Sequence, residues 1–240
     1  MSGHSHWSTI KHKKGAADAQ RSKTFSKIAR IISVAAREAG GNPDTNSKLR
    51  IAIDQARAIN MPSDNIERAV QRGTGELEGA QLENILYEAY GPGGTALIIE
   101  GITDNKNRAL GEIKQILNQH KGKLAGEGSV RWMFEQKGCV TVDSATPENR
   151  ESLELAAIEA GADDIRWEES GMNIYTRPEN LEKTKRNLED KGIVAASASL
   201  DWVAKENVRV DAQTEQAMEK LFEALDESDV VQEIYSNLAD

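Results

Sequence analysis

Residues 3–30, GHSHWSTIKHKKGAADAQRSKTFSKIAR, hold seven lysines and arginines against one acid, Asp18, together with three of the chain's four histidines. Cations at this density neutralise phosphates, a task that needs position and charge more than base identity. Lys11, Lys13 and Lys14 surround His12, and Arg21, Lys23, Lys27 and Arg30 carry the charge into a helical pattern. Ser5, Ser8 and Thr9 add hydroxyl donors, and His6 adds an imidazole that titrates near neutrality. Trp7 has two readings: an indole stacked on an unpaired base, or an anchor packed on the helices behind it. The candidate nucleic-acid-binding set is therefore His6, Trp7, Lys11, His12, Lys13, Lys14, Arg21, Lys23, Lys27 and Arg30.

Other chemistry is thinly represented. Asp163–Asp164 and Glu168–Glu169 are adjacent on strand patterns, so their carboxylates point to opposite faces and do not converge on an ion. No G-x-S-x-G elbow is present. Cys139 is the single cysteine, which excludes an intrachain disulfide and a cysteine zinc cluster; its setting in CVTV reads as a small buried hydrophobe. His120 falls at a helix end, where it suits a cap. GPGG at 91–94 and GEGS at 126–129 read as tight turns, since neither leads into the Lys-Ser or Lys-Thr pair of a phosphate-binding loop. With Met1 removed, Ser2-Gly3-His4 would offer square-planar ligands to copper or nickel, a property of the peptide rather than evidence of a cofactor. The reading expects no catalytic residue, no resident metal and no cofactor.

The elements that must position the basic stretch follow from periodicity. Residues 1–75 carry 13 Lys/Arg and six Asp/Glu, a net of +7, while the rest of the 240-residue chain carries −16. A polyanion is drawn to the first part and repelled by the second; alternatively the two parts attract each other. Phe25, Ile28, Ile32, Ala35 and Ala39 form one face of a first helix, with Lys23, Lys27, Arg30 and Arg37 opposite. NPDTNSKLRIAIDQARAIN and MPSDNIERAVQRG supply two more helices, the last stopped by Gly73. From residue 82 the period changes. Two strands around GPGG and a helix over 105–125 come first, and a β-α-β-β-α-β series follows, its first strand bent or split at Gly138. A short strand NVRV, a helix and a strand DVVQEIYSN close the chain.

The expected fold class is α+β multidomain: a basic three-helix domain at 1–76, a discontinuous α+β domain from 80–130 and 206–240, and a ferredoxin-like domain at 131–205 inserted in it. Two independent C-terminal domains are the alternative. No apolar span is long enough to cross a membrane and no secretory leader is recognisable, so a cytoplasmic location is expected.

The stretches GHSHWSTIKHKKGAADAQRSKTFSKIAR, NMPSDNIERAVQRG, YEAYGPGGTALIIEGITDNKNRA and GEGSVRWMFEQKG, in this order, resemble the YebC/PmpR family, whose mitochondrial relatives act as translational activators. The resemblance implies the same three-domain fold and a non-enzymatic cytoplasmic regulator. It implies binding to DNA as a transcriptional regulator, or to ribosomal RNA as a translation factor, with the transcription machinery or the ribosome as partner. It also points to Thr103, Asp104, Asn105, Lys106, Asn107 and Arg108 as a possible partner loop. His6, Gly15 and Ser22 depart from the family's basic block, which weakens one fixed positive charge near neutral pH.

Overall fold

The computed structural model describes residues 18–79, 81–143, 149–168 and 171–239, with side chains from residue 22. Three helices come first: α1 (Asp18–Ala39), α2 (Ser47–Ala58) and α3 (Ser63–Thr74). Ile32, Ala35, Leu49, Ala52, Ile53, Ala56 and Ala69 form their common core, while Ala39 at the end of the expected stripe is exposed. Asn46 caps α2 by accepting from Leu49 N at 3.1 Å, and its amide donates to the carbonyls of Ala35 and Gly40 at 2.8 Å each. One buried side chain thus ends α1 and starts α2.

Gly73 does not stop α3. The helix continues to Thr74, and Gly75, at φ 83°, supplies the left-handed cap. Gly73 lies where α3 meets α1: a Cβ there would sit 2.3 Å from Ser33 O and 2.7 Å from Ala36 Cβ. Ser33 Oγ seals the same crossing by donating to Ala69 O at 2.7 Å.

The first sheet contains β1 (Glu83–Tyr90), β2 (Ala96–Thr103), β3 (Lys123–Leu124) and β8 (Val231–Ser236), in the order β3-β1-β2-β8. Helices α4 (Lys106–Gln119) and α7 (Ala212–Glu227) pack on it through Ile113, Leu117, Leu221, Phe222 and Leu225. His120 is the C-cap residue of α4. Strand β2 explains its own sequence. Leu97 and Ile99 face those helices, and Ala96 and Ile98 face the second sheet, so the apolar run is continuous rather than alternating.

The second sheet contains β4 (Phe134–Val142), β5 (Asp164–Glu168), β6 (Gly171–Thr176) and β7 (Ser197–Ala204), all antiparallel, in the order β5-β6-β4-β7. Helices α5 (Arg150–Ala160) and α6 (Leu181–Asp190) pack on it. Strand β4 runs unbroken through Gly138, so it is not split there; the glycine is needed because a Cβ there would meet Leu181 Cβ at 2.9 Å. Cys139 is fully buried. NVRV is not a strand: Val208 makes one isolated bridge to Leu238. After β7 the chain returns to the first sheet, where β8 pairs with β2.

The two sheets meet through Ile98, Val130, Phe134, Trp202 and Tyr235. Trp202 Nε1 donates to Glu100 Oε1 at 2.8 Å across this seam. Burial pushes the Glu100 carboxyl above its usual range, against the opposing Trp202 bond and with help from nearby Glu233 and Asp201. Burial, then the same acids, push the Tyr235 phenol well up.

Candidate nucleic-acid interface

The charged face of α1 is its docking face. Lys27 is 8% exposed; its Nζ donates to Asp226 Oδ1 at 2.8 Å and to Asp226 O at 3.1 Å. Arg30 donates to the carbonyls of Asp229 and, at 3.5 Å, Ile102. Arg37 donates to the carbonyl of Leu82. The expectation that Lys27 and Arg30 lie on an open face is therefore corrected. The reason is local: the end of α7 and the turn into β8 leave carbonyls without helical partners, and cations satisfy them at the negative end of the helix dipole. Lys23 is half-buried beside this junction.

A second junction joins α2 to the other sheet domain. Arg50 pairs with Glu182 at 2.9 Å and Lys185 with Asp54 at 3.5 Å. The helical unit thus contacts both sheet domains, and part of its positive charge is neutralised within the molecule.

One face of α3 is turned to solvent. Arg68 and Arg72 are exposed and stand one turn apart, with Arg68 steadied by bonds to Asp64 O at 3.1 Å and Asn65 Oδ1 at 2.7 Å. Both were missed by the sequence reading, although their i, i+4 spacing opposite Ile66 and Val70 was visible in NIERAVQRG. His6, Trp7, Lys11, His12, Lys13 and Lys14 lie outside the described residues, as does the side chain of Arg21.

The loop at 104–108 is internally braced. Asn105 caps α4 by accepting from Arg108 N at 3.0 Å, and the Arg108 guanidinium bonds Asp104. Lys106 pairs with Glu83 at 2.7 Å and holds that carboxyl below its usual range. Thr103 and Asn105 exchange short bonds at the loop's base. Among the described residues, no group of three or more His, Cys, Asp or Glu side chains is placed to hold a metal, and no helix is long and apolar enough to cross a membrane.

Two family models span this architecture. The TACO1/YebC protein N-terminal domain matches residues 5–76, and the TACO1/YebC second and third domain matches 82–238. The chain belongs to the TACO1/YebC family. This TACO1/YebC chain is 48% identical to a probable transcriptional regulatory protein of Pseudothermotoga lettingae, over 99% of this chain and 93% of that one. It is 47% identical to a protein of the same description from Halothermothrix orenii, over 99% and 94%. The crystal structure of a conserved hypothetical protein from Aquifex aeolicus superposes with a TM-score of 0.91 at 44% identity, covering 98% of this chain and 97% of that one. Both matched segments and the near-complete coverage agree with a helical region followed by two sheet-bearing domains.

Proposed function

We propose that this chain is a non-enzymatic nucleic-acid-binding regulator of gene expression. It grips phosphate with the lysine cluster at 11–14 and with α3, while the acidic body is turned towards protein partners. The observation that carries this reading is the exposed Arg68–Arg72 pair, on the unit that also bears the chain's densest run of cations. In the domain reading that goes with it, 131–205 is a ferredoxin-like module inserted in the domain formed by 80–130 and 206–240. The strand order β5-β6-β4-β7 and the return of β8 to the first sheet support that division.

DNA-linked transcriptional control is the first form of the proposal, in line with the names of the relatives. Ribosomal RNA during translation is the second. It is favoured by the docking of α1, which removes a helix face that could have carried Lys27 and Arg30 into a groove. Cross-linking in cells followed by sequencing of the attached nucleic acid decides between them: enriched promoter DNA supports the first, discrete ribosomal RNA positions the second. Replacing Lys11, Lys13 and Lys14 with alanine is expected to weaken binding and flatten its salt dependence. Unchanged affinity would remove that cluster from the account.

A further inference from the structure

The body is acidic overall, yet one edge of the first sheet presents aromatic rings among cations. Trp132 is 66% exposed and Tyr90 is 36% exposed. One acceptor aims both: the Tyr90 hydroxyl donates to Ser129 O at 3.2 Å, and Trp132 Nε1 donates to the same oxygen at 3.0 Å. Each ring has its polar tip held, with most of the Trp132 surface and about a third of the Tyr90 surface in water. Lys123 stands directly opposite Tyr90 in the β1–β3 pairing, which puts the two side chains on one face of the sheet. Lys205 Nζ donates to the backbone carbonyl of Trp132 at 2.8 Å, so a second ammonium is held at the residue that carries the indole.

The loop that carries Trp132 is held from beneath. Glu88, 3% exposed, accepts from the backbone N–H groups of Gly128 at 2.7 Å, Val130 at 2.6 Å and Arg131 at 2.8 Å. Three charge-assisted bonds to this buried carboxylate fix the loop and engage both of its oxygens. A ring presented rigidly gives up little entropy when something stacks on it.

We infer that Tyr90 and Trp132 form a stacking platform for unpaired bases of single-stranded RNA, with Lys123 and Lys205 on the flanking phosphates. The inference rests on the nucleic-acid reading above and adds a contact on the body to the one at the N-terminal unit. Duplex DNA keeps its base faces covered, whereas loops and single strands of RNA expose them to aromatic side chains between cations. A protein partner docking here would have to accommodate two ammonium groups, whereas a phosphate backbone is drawn to them.

The test uses the full chain, with short fluorescein-labelled oligoadenylate and oligouridylate RNA and a DNA duplex as probes, followed by anisotropy over a range of salt. Trp132→Ala is expected to weaken single-stranded RNA binding about tenfold, the scale of one lost base stack, with the salt slope kept. Trp132→Phe keeps a ring and is expected to stay within about threefold of the parent. Lys123→Ala combined with Lys205→Ala lowers the salt slope by roughly 1.4. Duplex binding is unchanged in all three, and the unfolding midpoint of Trp132→Ala matches the parent because most of that ring is already in water. Parental RNA affinity in Trp132→Ala overturns the platform. If the Lys11/Lys13/Lys14 variant weakens binding to both probes while Trp132→Ala weakens neither, the platform falls and the proposed function stands. If the parent binds neither probe, both fall.

Discussion

Lys27 on α1 and Asp226 at the end of α7 are joined twice, through the carboxylate at 2.8 Å and the backbone carbonyl at 3.1 Å. The pair connects residues 199 positions apart and ties the basic helix to the acidic body. A partly buried ammonium that also satisfies carbonyls at a helix C-terminus tethers the helical unit to the first sheet domain. Replacing Lys27 with Met keeps the hydrocarbon stem and removes the donor. The expected cost is about 2 kcal/mol in urea unfolding. Hydrogen exchange should accelerate in α1 and in the turn after α7, and leave the second sheet protected.

Glu88 is expected to be the strongest single determinant of the 126–131 loop. Burial pushes its carboxyl up, but three backbone donors and the charge of Arg131 outweigh this, so its pKa lies below the usual value. A lowered carboxyl contributes stability above its unfolded pKa and loses it as pH falls through the folded one. Amide resonances of Gly128, Val130 and Arg131 should therefore hold steady at neutral pH and shift together only on acidification below the ordinary glutamate range. Glu88→Gln should cost roughly 1–3 kcal/mol, since an amide cannot accept all three bonds equally.

Glu100 has the opposite sign. Its raised pKa means that the folded state binds the proton more tightly, so this residue's contribution is fully present below its unfolded value and is lost as pH rises through the folded one. Glu100→Gln retains an oxygen for Trp202 and cannot ionise. The variant should melt at a higher temperature than the parent at neutral pH and coincide with it in acid, as read by calorimetry against pH.

Gly73 is set by contact rather than by conformation. An alanine there would press a methyl group into Ser33 O and Ala36, where backbone cannot yield cheaply. Gly73→Ala should destabilise the helical unit by about 1–3 kcal/mol, despite alanine's better helix propensity, and circular dichroism on heating would read it.

Arg68→Ala with Arg72→Ala tests the exposed face of α3. If both arginines meet duplex phosphates, the salt slope should fall by roughly 1.8 while the unfolding midpoint stays at the parental value. A variant with parental affinity and slope would place the phosphate contact on the lysine cluster alone.

Much of the architecture was legible because burial leaves periodic traces. The shift from a 3.6-residue to a two-residue period near residue 82 marked the change from helices to sheets. The strand expected after GPGG was found as β2, while its cover on both faces became visible only in the fold. Cys139 in CVTV was readable as core. Gly73 and NVRV misled because the local signals for a stop and a strand are weak against tertiary contact: one glycine serves a helix crossing, and one residue of NVRV finds a bridge.

The amino-acid order by itself determined most of the elements, their succession and the division of charge between a basic start and an acidic remainder, because these depend on side-chain size, polarity and spacing along the chain; it missed β3, where Lys123–Leu124 leaves the helix expected to run to 125 and pairs with β1. Only the tertiary structure decided which cations face water. Lys27 and Arg30 are drawn onto carbonyls from distant segments, while Arg37, Arg68 and Arg72 stay exposed. It also decided that Tyr90 and Trp132 share Ser129 O. Long side chains reach whatever acceptor the fold brings within a few ångströms, and backbone carbonyls exist at every residue, so no local pattern announces which of them will be met.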